Sequence, residues 1–212
     1  MTDLTLYNYS KSSAAYRVRI ALNLKGLTAT YANVNLLENA QRSDDYLMKN
    51  PAGLVPALSI GENMLSQSLA IIEYLDEAHP DILLLPGDAI ARAKIRAFAL
   101  AIACDIHPIL NLRVLNHLRT NLNSDDGGVK AWYAHWINTG LSAIEEMLRR
   151  EGNSGKFCFG DTPTLADVCL APQVFNAKRW SCPIEQFERI NEVMVACDGH
   201  PAFIAAHPEA PQ

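Results

Sequence analysis

The sequence lacks the marks of several large protein classes. Its five cysteines, at positions 104, 158, 169, 182 and 197, are odd in number and form no C-x-x-C pair. This speaks against a disulfide framework or a structural metal and for a reducing, cytoplasmic setting. The opening residues Met1 to Tyr7 hold no charged stretch followed by an apolar one, so no secretory leader is expected. The longest apolar run, residues 97–104, falls far short of the ~20 residues a membrane-crossing helix needs. Positive charge is not in excess either. A net charge of −5 and a pI near 5.6 disfavour nucleic acid or an anionic membrane as partner, although a local cluster still suits a small anion. No internal repeat or low-complexity tract is present. What remains is a chain of 212 residues, 49% hydrophobic and 19% charged, with an ordinary globular balance and room for one large domain or two small ones.

Residues 4–7 read as a first strand, 14–25 as a helix closed by Gly26, and 31–35 as a second strand, followed by a weak polar helix over 39–49. The next stretch organises the chain. An apolar strand over 55–60 leads through a tight turn at Gly61, Glu62 and Asn63 into a short strand ending at Leu65. A helix then starts at Ser66, Gln67 and Ser68 and carries Leu69, Ile72 and Leu75 on one face. Pro56 stands at the head of its strand, where its missing N–H does least harm. The Val55–Pro56 bond admits the cis form at a cost of about 0.5–1 kcal/mol, and the sequence leaves that open. A cis bond would turn the Val55 backbone outward, toward a ligand. Polar side chains beside the positive end of a helix suit an anion with a peptide-like backbone.

Composition changes after His79 and Pro80. Residues 80–88, with two prolines and a glycine, read as a linker, and no convincing strand follows. Residues 89–118 read as helix with a kink near His107, because Pro108 cannot donate. Val129, Trp132, Trp136, Ile144 and Met147 form a helical stripe with Gly140 as its weak point. The two tryptophans read as core rather than as an aromatic cofactor box. Thr164 and Asp167 form a capping box for the helix after Pro163, a structural role. The expected architecture is an α/β domain over 1–82, then an all-α domain over 88–212.

Three strings point further: V-P-A-L with Q-S-L-A-I-I-E-Y-L at 55–75, S-S-x-x-Y-R-V-R-I-A-L at 12–22, and G-D-x-x-T-x-A-D at 160–167. Alone, two serines before a helix are N-caps. Together with N-P-x-x-x-V-P at 50–56 and P-Q-V-x-N-A-x-R at 172–179, they resemble the zeta class of glutathione transferases, the maleylacetoacetate and maleylpyruvate isomerases. The resemblance spans nearly the whole chain. It implies a thioredoxin-like glutathione-binding domain before a helical substrate domain, in a homodimer.

The resemblance also implies site residues. Ser12 matches the thiolate-stabilising serine, with Ser13 as a partial substitute. Arg17, Gln41, Val55, Gln67 and Ser68 match glutathione contacts, and so do His107 and Asn111, although a His-Pro at a helix bend is also a structural feature. Arg179 matches an arginine that holds a substrate carboxylate, with Lys11 and Arg113 as further cations. Ala14 stands where the class has a cysteine, so no auxiliary thiol is available. The implied reaction is a glutathione-dependent cis–trans isomerisation of a maleyl keto-acid, with glutathione regenerated and no metal. Two other readings stay open: a transferase that consumes glutathione on electrophiles, and a non-enzymatic interaction module of the same fold.

Overall fold

The computed structural model describes residues 3–151 and 155–210. The chain divides into two compact units. The first comprises the residues up to Leu84 together with those from Gly199 on, and the second runs from Leu85 to Asp198. The helical domain expected over 88–212 is shorter at its end, because the segment from Gly199 on joins the first unit.

In the first unit, β1 (Leu4–Asn8) lies between β2 (Thr30–Asn33) and β3 (Ala57–Ile60), and β4 (Asn63–Ser66) completes a sheet of order β2-β1-β3-β4. The β1–β2 pair is parallel, and the other two pairs are antiparallel. A parallel pair needs a crossover, which α1 (Ser13–Leu24) supplies. The helix closes where the Leu27 N–H reaches back to the Leu22 carbonyl at 2.9 Å.

The expected helix at 39–49 is instead one 3₁₀ turn, Ala40–Arg42, and a single α turn, α2 (Asp44–Leu47), after another 3₁₀ turn at Leu36–Glu38. Its polar side chains give too little apolar surface for a longer helix. On α3 (Ser68–Ala78) the buried apolar residues are Ile71, Ile72 and Leu75, not Leu69. The expected linker is tied down rather than loose. Lys25, its side chain 1% exposed, pairs with Asp76 at 2.8 Å. The same ammonium donates to the carbonyls of His79 at 3.0 Å and Ile82 at 2.6 Å, and Asp76 accepts from the Leu84 N–H at 2.7 Å.

The last helix, α9 (Pro201–Ala206), joins this unit through α1. Asn23 Nδ2 donates to the Ala202 carbonyl at 3.0 Å, Arg19 Nε to the Ala206 carbonyl at 3.0 Å, and Tyr16 packs edge-on against His207.

The second unit contains no strand among the described residues. Its helices are α4 (Ala89–Leu100), α5 (Leu112–Asn121), α6 (Asp126–Glu151), α7 (Leu165–Arg179) and α8 (Glu188–Asp198). The expected kink after α4 is a π-helical stretch, Ala101–Ile106, in which the His107 N–H bonds the Ile102 carbonyl at 2.9 Å. Pro108 then opens a 3₁₀ turn. Residues 89–121 are the one described stretch long and apolar enough to cross a membrane by length and composition. They do not form one continuous helix, and Phe98, Ala99 and Ile102 are fully buried.

The buried face of α6 is Val129, Tyr133, Ile137, Leu141, Ile144 and Leu148. Trp132, Trp136 and Met147 sit half-buried at its margin. Gly140 is a contact rather than a weak point, because a Cβ there would meet the Ile106 side chain at 2.5 Å. The capping box of α7 is present. Buried Glu145 on α6 caps α8 from a distance, accepting from the N–H groups of Arg189 at 3.0 Å and Ile190 at 2.9 Å. None of the five cysteines forms a disulfide among the described residues.

Candidate functional site

Ser12 stands where β1 hands over to α1. Its backbone is extended (φ −78°, ψ 118°), and its Oγ accepts the Ala15 N–H at 3.2 Å, so it is the N-cap of α1. Its own N–H donates to the Tyr9 carbonyl at 2.9 Å. Capping uses a lone pair of the hydroxyl and leaves its hydrogen, so Ser12 can cap the helix and still donate to an anion. The two roles are compatible. Ser13 is only 4% exposed, inside the first turn of α1. Lys11 is exposed and has no ion pair among the described residues.

The second group of side chains gathers where β4 meets α3. Gln67 has φ 69° and ψ 117° and is exposed. A non-glycine residue at positive φ costs about 1–3 kcal/mol, and such outliers concentrate at ligand sites. Ser68, the first residue of α3, is 6% exposed and accepts from Arg17 Nη1 at 3.3 Å. Arg17 is 1% exposed. A guanidinium on α1 therefore meets a hydroxyl at the N-terminus of α3, where the helix dipole already favours negative charge.

Val55 forms the third part. The Val55–Pro56 bond is cis, and β3 begins after it, at Ala57. The Val55 N–H and C=O make no hydrogen bond among the described residues. The preceding carbonyl is held from both sides, because Tyr46 Oη and Asn50 Nδ2 each donate to Leu54 O at 2.7 Å. Burial pushes Tyr46 up to about 12, which keeps its phenol a donor at any ordinary pH. Gly53 (φ 58°) lets the 3₁₀ turn approach, since a Cβ there would sit 3.0 Å from the Gln41 carbonyl and 2.7 Å from Arg42. The half-buried Gln41 side chain turns in with its Oε1 buried and unbonded among the described residues. Asn50 and Tyr46 were missed as positioning groups. The N-P-x-x-x-V-P string signalled Asn50, but Tyr46 had no signal.

The remaining expected residues lie in the second unit. His107 is half-buried at the end of the π-helical stretch. Asn111 is the N-cap of α5, its Oδ1 accepting the Arg113 N–H at 3.1 Å. Its acceptor is thus taken while its amide donors remain. Arg113 is exposed. Arg179 ends α7, exposed and without an ion pair among the described residues. It lies close enough to Tyr133 to oppose the upward push that burial gives that phenol, and Trp180 stacks on the same ring at 4.4 Å.

Ser12, Arg17, Gln41, Val55, Gln67 and Ser68 thus all belong to the first unit. They combine two helix N-termini, a buried cation and, at Val55, a peptide N–H and C=O without a partner among the described residues. That set suits an extended, anionic, peptide-like molecule.

Known proteins agree with this reading of the fold. Residues 2–77 match the glutathione S-transferase N-terminal domain, and residues 136–202 match the glutathione S-transferase C-terminal domain. The maleylacetoacetate isomerase of Rhizobium meliloti is 44% identical over 207 residues, which are 98% of this chain and 97% of that protein. The holo structure of a maleylpyruvate isomerase, described as a bacterial zeta-class glutathione S-transferase, superposes with a TM-score of 0.95 at 43% identity, covering 98% of both chains. The maleylacetoacetate isomerase of Methylobacterium extorquens AM1, solved with bound malonate and glutathione, gives a TM-score of 0.94 at 34% identity over 98% of this chain and all of that one.

Proposed function

Because the chain belongs to the zeta class of the glutathione S-transferase family, we propose that it is a glutathione-dependent cis–trans isomerase of a maleyl keto-acid, acting in the cytoplasm as a homodimer. The observation that carries this reading is the Ser12 hydroxyl at the N-terminus of α1, in one unit with Arg17 and Ser68. The chain's residues fit glutathione: among the described residues, Gln41 offers a buried acceptor without a partner, and Val55 offers an unpaired peptide N–H and C=O. Ser68, Gln67 and the N-terminus of α3, with Arg17 behind them, provide for a carboxylate. Glutathione, when bound, supplies the thiol that adds reversibly to the cis double bond and is regenerated.

Ser12 has a bounded task. A thiol with a pKa near 8.5 must shift by about 1.5 units to be half ionised at pH 7, roughly 2 kcal/mol. One hydrogen bond to a charged group contributes about 1.5–3 kcal/mol and a helix N-terminus about 0.3–1 kcal/mol. The two together suffice. The substrate's carboxylates fall to cations without an ion pair among the described residues, Arg179 first, then Arg113 and Lys11.

The test is turnover of maleylacetoacetate or maleylpyruvate by the purified chain, with product geometry read by NMR and glutathione assayed in parallel. The expected result is a fumaryl product with glutathione undiminished. Loss of glutathione into an adduct would make the chain a conjugating transferase instead, and failure to bind glutathione-agarose would leave only an interaction module. Within this reading, Ser12→Ala is expected to slow the reaction by about 10- to 150-fold. It should also raise the pKa of the bound thiol, read from thiolate absorbance against pH. An unchanged rate and pKa would move the role to Ser13 or the backbone. Light scattering at micromolar concentration should give twice the 23.3 kDa chain mass; a monomer mass would refute the homodimer.

A further inference from the structure

Arg19 is 1% exposed, yet no carboxylate meets it among the described residues. Its guanidinium instead binds three oxygens from three segments. Nη1 donates to Asn8 Oδ1 at 2.7 Å, Nη2 to the Ser10 carbonyl at 2.9 Å and Nε to the Ala206 carbonyl at 3.0 Å. The Tyr16 ring lies 5.1 Å from the guanidinium carbon. Burying a cation without a counter-ion is costly unless its geometry does something an apolar side chain cannot. Here it holds the end of β1, the loop that follows and α9 in one fixed relation. Only a planar fork of five donors spans three such acceptors; a lysine ammonium is a point charge.

Ser10 is two residues before Ser12, and the Ser12 N–H already closes on the Tyr9 carbonyl. Between these two anchors the loop has little freedom. We infer that Arg19 is a positioning residue for the isomerisation: it fixes the loop 9–12 so that the Ser12 hydroxyl is presented to the glutathione sulfur, and it ties that placement to the docking of α9. The inference rests on the role proposed above for Ser12. Displacements of about 1 Å at a reacting group can cost a hundredfold in rate, so a clamp behind the loop has catalytic weight without touching substrate. Burial lowers the Arg19 pKa to about 10, against Tyr31 and Tyr16, which act in the opposite direction. The guanidinium therefore stays charged at neutral pH, and a substitution that keeps the charge but loses the fork separates geometry from electrostatics.

The test is a double-mutant cycle read by the pKa of bound glutathione's thiol and by kcat, using Arg19→Lys, Ser12→Ala and the double variant. Arg19→Lys keeps the positive charge and loses the fork. It is expected to raise the thiol pKa by about half the shift that Ser12→Ala produces and to lower kcat more than it raises KM. In the Ser12→Ala background it should add no further pKa shift. An unchanged thiol pKa in Arg19→Lys, whatever its melting temperature, would overturn the inference. An equal shift in both backgrounds would overturn it too, showing an effect that bypasses Ser12. If Ser12→Ala itself shifts nothing, the reading of Ser12 fails and the inference falls with it; if only Arg19→Lys is silent, the inference fails alone. Should Arg19→Lys not fold, Asn8→Ala removes one of the three acceptors and leaves the arginine in place. It should then give a smaller shift of the same sign, and a null result there would overturn the inference equally.

Discussion

Arg179→Ala is expected to slow turnover of a maleyl keto-acid by about 30- to 150-fold, or roughly 2–3 kcal/mol of transition-state stabilisation. The substrate carries carboxylates, and Arg179 is an exposed cation at the end of α7 with no ion pair among the described residues. A guanidinium grips a carboxylate through two parallel bonds, which an ammonium cannot reproduce, so Arg179→Lys should recover little of the loss. The control is conjugation of a neutral aromatic electrophile such as chlorodinitrobenzene. It presents no carboxylate, so its rate should be nearly unchanged. Equal loss on both substrates would show that Arg179 supports the fold or the glutathione site. No loss on either would hand the carboxylate to Arg113 or Lys11.

Asp167→Ala is expected to cost the fold about 3–5 kcal/mol, a large share of the 5–15 kcal/mol typical of a protein's whole stability. Asp167 is fully buried. Its carboxylate accepts the Thr164 N–H at 2.8 Å, the Thr164 hydroxyl at 2.9 Å and the Cys158 N–H at 2.7 Å. Alanine would leave three donors buried without a partner. At about 2–4 °C per kcal/mol for a chain of this size, the melting temperature should fall by roughly 6–20 °C. The pH dependence has a definite sign. Desolvation raises the Asp167 carboxyl above its ordinary value, against the hydrogen bonds that lower it. Its contribution is therefore fullest below the unfolded-state value of about 3.9 and declines as pH rises through the folded value. The cost of Asp167→Ala should not shrink on going from pH 7 to pH 5. A melting temperature within about 2 °C of wild type would contradict this account.

The Thr164–Asp167 box could be read from the sequence because its partners are three residues apart and each type has one common use at a helix start. The third bond, from Cys158, could not, since a backbone donor leaves no mark on residue type. Separation in sequence decided the rest in the same way. Apolar runs and the Gly26 stop placed β1 and α1 to within one residue at each end, whereas β3 begins at Ala57, two residues later than expected, because the cis Val55–Pro56 bond precedes it. Yet nothing in Arg17 says that it will meet Ser68, 51 positions away. Gln67 gives no hint of positive φ, because glutamine is not a residue type that favours it. On α6 the reading followed the tryptophans, which are the larger rings. The helix instead buries the row through Tyr133 and Ile137 and leaves Trp132 and Trp136 at the margin. Both rows have helical spacing, and only the neighbouring helices decide between them.

The joining of α9 to the first unit sets an order on biosynthesis. Residues 1–84 leave the ribosome first, but the third acceptor of the Arg19 guanidinium is the carbonyl of Ala206. At elongation rates of about 5–20 residues per second, that oxygen is made roughly ten to forty seconds after the arginine that binds it. The nascent α/β layer must therefore wait, with a cation lacking its last ligand, while the whole helical unit is translated. A chain released before α9 lacks the Ala206 acceptor, one of the three bonds of the clamp proposed behind Ser12. Synthesis of α9 therefore supplies the last ligand of a buried cation made long before it.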